Sequence, residues 1–187
     1  TDEIYGELTY DQPHVSLLSV PGMKERTVYL HGFSKAWAMT GFRMGFSCAP
    51  PELTEAMMKI HQYTMLCAPV LSQKAAIEAL RDPARDIDEM RDSYCVRRNY
   101  MHAAFQEMGV NCHLPGGAFY MFPDIRQFGL SSRDFALRLL EEENVAVVPG
   151  TAFGACGEGS VRCCYATALE DIKEAMTRIA RFVKKLG

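Results

Sequence analysis

A chain of 187 residues with 48% hydrophobic and 23% charged content has the makeup of a globular protein, one well-packed domain or two small ones, and neither a disordered nor a fibrous segment. Its formal charge of -3 and pI near 6.0 leave no basic footprint for nucleic acid, so a small metabolite is the expected partner. No apolar run approaches the roughly 18 residues of a membrane span, and no basic-then-apolar signal pattern opens the chain. The seven scattered cysteines contain no Cys-x-x-Cys pair; the expectation is a soluble, cytoplasmic protein with reduced thiols and no metal site.

The chain begins Thr1-Asp2-Glu3-Ile4-Tyr5, without an initiator Met, on what reads as the end of a strand. Asp2 and Tyr5 stand three apart, a spacing at which a turn aims both at one ligand. Read alone, the pair is more simply a helix cap and a packed tyrosine. Residues 27–31 are β-branched and aromatic and predict a strand that delivers Lys35 at its C-terminal end, where sites in open α/β sheets lie. Lys35 has small and apolar neighbours, and in an apolar pocket its ammonium form is disfavoured, leaving a free amine able to attack a carbonyl and form a Schiff base. The plain alternative is a solvated surface lysine.

Residues 42–49 predict a second strand, stopped by Pro50-Pro51. Pro51 with Glu52 behind it opens a helix carrying Leu53, Met57, Ile60 and Thr64 at helical spacing, its methionines read as core filler. A helix over 71–80 ends before Pro83, where the domain boundary is expected. A long amphipathic helix over 86–108 follows, its arginines solvated and Gly109 its C-cap. Residues 110–113 and 119–122 predict strands around Pro115-Gly116-Gly117. Ser132 caps a helix through Glu142 with Phe135, Leu139 and Leu140 inward, and 145–148 predicts a buried strand running into the polar loop 149–154. Residues 161–166 form an apolar strand containing Arg162, a charge that needs a carboxylate from the protein or from a ligand. The last helix opens with a capping box, Thr167-x-x-Glu170, and buries Ile172, Met176, Ile179 and Val183.

The run Ser34-Lys35-Ala36-Trp37-Ala38-Met39-Thr40-Gly41-Phe42-Arg43-Met44-Gly45 resembles the lysine motif of fold-type-I pyridoxal-phosphate (PLP) aminotransferases of the aspartate aminotransferase class. Asp2-Glu3-Ile4-Tyr5, Gly116-Gly117-Ala118-Phe119-Tyr120, Pro149-Gly150 and the strand of Arg162 follow in that family's order, so the resemblance spans essentially the whole chain. It looks closest to the bacterial subgroup of N-acetyl-diaminopimelate and aromatic aminotransferase-like enzymes. The fold it implies is α/β: the C-terminal part of a large PLP-binding domain over 1–82, then a small α+β C-terminal domain over 83–187. The chain is thus expected to be the C-terminal portion of a longer protein, inactive alone.

The resemblance also implies roles. Lys35 holds pyridoxal 5'-phosphate as a Schiff base and serves as the catalytic base. Asp2 pairs with the ring nitrogen, Tyr5 with the ring oxygen, Arg43 and Ser34 with the phosphate, and Arg162 with the substrate's α-carboxylate. Many relatives carry a serine three residues before the lysine where this chain has Gly32. The implied substrates are an L-amino acid and a 2-oxo acid, with no nucleic acid or membrane partner, and the implied full-length assembly is a homodimer serving amino-acid biosynthesis. Two alternatives are another PLP enzyme of this fold, such as a carbon-sulfur lyase, and a non-catalytic effector-binding module of the kind found in some transcription regulators.

Overall fold

The computed structural model describes residues 1–81 and 84–187, with backbone alone at 84–86. They form two compact units, Thr1–Arg91 and Asp92–Gly187. Residue Pro83, at which the sequence ends a helix and places the boundary, lies outside the described residues.

In the first unit, strand β1 (Tyr29–Gly32) pairs antiparallel with β2 (Gly45–Cys48), His31 facing Phe46. The N-terminal segment runs parallel to β1: the Glu3 N–H donates to the Leu30 carbonyl at 2.9 Å and the Leu30 N–H to that of Thr1 at 2.8 Å. The predicted strand over 42–49 starts late because Thr40–Phe42 close a 3₁₀ turn and Arg43 is left-handed at φ 52°, a conformation incompatible with a ladder. Helix α1 (Pro51–Thr64) begins at the proline, as a ring with fixed φ and no N–H favours. Its apolar stripe is a correction: Leu53 and Ile60 are exposed, Met57 is partly buried, and no residue of α1 is buried among those described. Periodicity marks a face; it does not supply the neighbour that would cover it. Helix α2 (Val70–Arg81) does pack, its Ala76 joining Phe33 and Met39 in a small core with Trp37, Ala75 and Ala79 against it. Ile77 and Leu80 of the same helix are exposed.

Helix α3 (Ala84–Glu107) belongs to both units and ends before Gly109, whose φ of 71° closes it without a Cβ penalty. The second unit holds a three-stranded antiparallel sheet in the order β3 (Tyr120–Met121), β5 (Val161–Cys164), β4 (Val148–Pro149). The predicted strand over 110–113 survives only as a bridge between Cys112 and Pro123. Helices α4 (Ser132–Glu143) and α5 (Leu169–Leu186) cover one sheet face: Met121, Val161, Cys163 and Tyr165 are buried, as are Phe135, Leu139, Ile172, Met176, Ile179, Phe182 and Val183. Phe135 and Phe182 meet edge to face at 5.2 Å.

Three local expectations change here. Ser131, not Ser132, caps α4, its hydroxyl accepting the Asp134 N–H at 3.0 Å, while Ser132 turns inward to accept the Gly159 N–H at 2.8 Å. Leu140 is exposed. The Thr167 box does not form, since α5 starts one residue later from Ala168 and Thr167 donates to Asp171 instead. No described helix is long and apolar enough to cross a membrane.

Candidate active site

Lys35 sits in the turn that leaves β1, and its Nζ lies 5.7 Å from the centre of the Tyr5 ring. The turn is held by packing and by two hydrogen bonds from outside it. Phe33, Ala36 and Met39 are buried beneath the lysine, so Lys35 and Ser34 are left partly exposed above them. Trp37 donates its indole N–H to the Ala79 carbonyl of α2 at 3.0 Å, and the Ser72 hydroxyl of α2 donates to the Phe42 carbonyl at 2.7 Å. That second bond fixes the residue before Arg43. Arg43 is exposed, with Nη1 on the Thr40 carbonyl at 2.9 Å. Gly32 suits its place, because a Cβ there would stand 3.2 Å from the Met44 carbonyl.

Asp2 and Tyr5 lie on the segment beside β1. The Asp2 side chain is exposed, and its carboxylate accepts the Ile4 N–H at 3.1 Å through Oδ1. Glu3, on the opposite face, is buried and ties down the following loop: it meets His14 at 2.7 Å and accepts from the Ser16 hydroxyl and the Leu17 N–H at 3.0 Å each. Burial opposes its ionisation, but those donors, His14 first, outweigh it and hold the carboxyl below its ordinary value.

His31, missed in the sequence, fills a buried position at the end of β1. Its ring is stacked on Phe46 at 5.5 Å and Tyr29 at 5.7 Å and meets Trp37 edge-on at 5.8 Å. Both oxygens of Glu7 lie 3.1 Å from its Nε2, and the Gly32 N–H donates to its Nδ1 at 2.7 Å. The Glu7 carboxylate raises the imidazole's proton affinity against the opposing effect of burial, and the same bond, against burial, holds Glu7 below the usual carboxylate range. Twenty-four residues separate the pair, a distance at which no local pattern announces it.

In the second unit, Arg162 stands on the sheet face opposite the helices. Its guanidinium carbon is 4.4 Å from the Tyr120 ring centre and 4.5 Å from that of Phe153, and its Nε is buried with no hydrogen-bond partner among the described residues. No salt bridge to a described carboxylate engages it, so of the two partners the sequence left open the protein does not supply the first among the described residues. Tyr120 follows from the Gly116-Gly117 motif and Phe153 from the loop after Pro149, but neither was assigned a role in the sequence. A second correction concerns α3: Arg98, expected to be solvated, is buried and donates from Nη1 to the Pro115 carbonyl at 2.9 Å, anchoring the glycine turn that leads to Tyr120.

The structure therefore brings Tyr5 and Lys35 together, sets Asp2 on the same segment, and places Ser34 and Arg43 in the lysine turn; Arg162 presents an open guanidinium in its own unit. Residues 1–179 match the family model for aminotransferase class I and II. The Bacillus subtilis protein named aminotransferase YugH is 54% identical over 184 residues, which is 98% of this chain and 48% of that protein. An aspartate aminotransferase of Pyrococcus abyssi is 45% identical over 99% of this chain and 48% of its own length. The crystal structure of an aromatic aminotransferase from Pyrococcus horikoshii superposes with a TM-score of 0.96 at 46% identity, covering all of this chain and 51% of that one. The chain spans about half the length of the relatives it matches. With its lysine turn, its acid-and-tyrosine segment and its arginine strand all in the family's order, this chain belongs to the class I and II aminotransferases.

Proposed function

We propose that the whole protein is a PLP-dependent aminotransferase moving an amino group between an L-amino acid and a 2-oxo acid. The observation that carries this reading is the Lys35 amine beside the Tyr5 ring, 5.7 Å away, at the C-terminal end of β1. The donor set fits the cofactor: a primary amine for its carbonyl, a carboxylate for its ring nitrogen, a phenol for its ring oxygen, and an arginine whose exposed guanidinium suits a phosphate dianion. When bound, PLP supplies an electron sink for the substrate's α-carbon.

Lys35 would bind the cofactor carbonyl and, once released from it, move the α-proton. Asp2 would pair through its carboxylate with the ring nitrogen, Tyr5 would donate to the ring oxygen, and Ser34 and Arg43 would hold the phosphate. Arg162 takes the substrate's α-carboxylate in a planar, paired contact, the geometry its unpartnered Nε awaits. This fixes the orientation of the α-hydrogen. We place the protein in the cytoplasm as a homodimer acting in amino-acid biosynthesis, with this 187-residue stretch alone turning over little.

The test is an absorbance spectrum of the full-length protein with PLP, before and after borohydride reduction, with mass spectrometry of the adduct. A visible band and a reduced adduct on Lys35, lost in Lys35→Ala, are expected; an unlabelled Lys35 overturns the reading. Product analysis then tests the reaction: a 2-oxo acid with transfer of the amino group is expected, whereas release of ammonia would identify a lyase instead.

A further inference from the structure

The lysine turn and the acid-and-tyrosine segment are separate stretches of chain, and besides the backbone bonds to β1 a histidine–carboxylate pair joins them. Glu7 lies two residues past Tyr5; His31 lies four residues before Lys35. The imidazole between them uses both nitrogens: Nε2 faces the two Glu7 oxygens at 3.1 Å each, and Nδ1 lies 2.7 Å from the amide nitrogen and 3.2 Å from the carbonyl oxygen of Gly32, where the chain leaves β1 for Lys35. A carboxylate only accepts, so the proton on Nε2 points at Glu7. Glu7 is the charged group in contact with the ring; Glu3 acts on it from further away, and its other neighbours are the rings of Tyr29, Phe46 and Trp37.

Packing alone does not call for a polar ring there. The position is boxed by three aromatic side chains and is only 7% exposed. Phenylalanine would fill it without the desolvation cost of burying an imidazole against a carboxylate, and buried ion pairs are often no more stable than the apolar groups that could replace them. What the pair adds is a directional side-chain tie between the segment that carries Tyr5 and the segment that carries Lys35.

We propose that Glu7 and His31 are positioning residues that fix the Tyr5 phenol relative to the Lys35 amine. The inference rests on the Lys35 reading above. A phenol held to donate toward the cofactor's ring oxygen favours the deprotonated state of the lysine-bound chromophore, so loosening that phenol raises the pH at which the chromophore loses its proton.

The experiment is a pH titration of the visible band in the full-length PLP-loaded protein, for the wild type, Glu7→Gln and His31→Phe, with the thermal midpoint of each measured alongside. Glu7→Gln preserves shape and an acceptor for the ring N–H while removing charge; His31→Phe keeps the ring stack and removes the tie. The expected result is an upward shift of the titration midpoint by about half a unit or more in His31→Phe, with Glu7→Gln no higher than the wild type. A His31→Phe midpoint that coincides with that of the wild type overturns the positioning role, whatever happens to thermal stability, and leaves a purely structural pair. A wild-type protein with no band and no Lys35 adduct overturns the Lys35 reading itself, and the positioning role with it.

Discussion

The Arg162 guanidinium carbon stands close to two rings, 4.4 Å from the centre of Tyr120 on the neighbouring strand and 4.5 Å from that of Phe153. A cation over aromatic rings is stabilised without consuming its hydrogen-bond donors. In the full-length enzyme, Arg162→Leu is expected to raise the apparent KM for the amino acid by about 30-fold or more, since losing a desolvated charged hydrogen bond costs about 2–5 kcal/mol. Arg162→Lys retains the charge but not the paired donors, and is expected to recover little. Steady-state kinetics of the two variants check this; a lysine variant equal to wild type would remove the argument from planar pairing.

Ser72 reaches from α2 to the Phe42 carbonyl at 2.7 Å, just ahead of the left-handed Arg43. Ser72→Ala leaves that acceptor without its donor, at a cost of about 1–2 kcal/mol. The expected outcome is a lower thermal midpoint together with weaker retention of PLP on dialysis, because the residue displaced is the one assigned to the phosphate. Unchanged cofactor retention would place Arg43 outside the phosphate site.

Phe182 is fully buried on α5 against Phe135. Phe182→Ala removes that contact and opens a cavity, and the expected loss is about 3–5 kcal/mol. Urea unfolding should show a lower midpoint with an unchanged slope.

Glu143, at the end of α4, accepts from Arg181 at 2.7 Å and Lys185 at 2.8 Å on α5. Those two cations, Arg181 first, hold its carboxyl below the ordinary value. A depressed native pKa contributes stability that is present above the unfolded value, near 4.5, and is lost as pH falls through the native one. Glu143→Gln is therefore expected to lower the urea midpoint at pH 7 and to converge on wild type as the pH is taken down toward 3. Parallel denaturation curves across that range are the check.

Sequence by itself determined whatever is written in contiguous residues. Pro51 at a helix start, Gly109 after a helix end, and Ile172, Met176, Ile179 and Val183 on one face of α5 are all local patterns, set by backbone sterics and the 3.6-residue period. The lysine motif is likewise a single run, which made the family legible before any contact was known. Short strands were harder, because a strand of two to four residues exists only through its partner: residues 110–113 keep one bridge, and the left-handed Arg43 delays β2.

Only the tertiary structure decided which apolar faces find a neighbour and which polar groups find each other. The stripe of α1 stays uncovered among the described residues, while Arg98, on a helix face read as solvated, is buried against the Pro115 carbonyl. The pairing of Glu7 with His31, the hold of Ser72 on Phe42 and the rings around Arg162 join residues distant in the chain. Burial and hydrogen bonding depend on what the fold brings alongside, and composition and spacing carry no record of it.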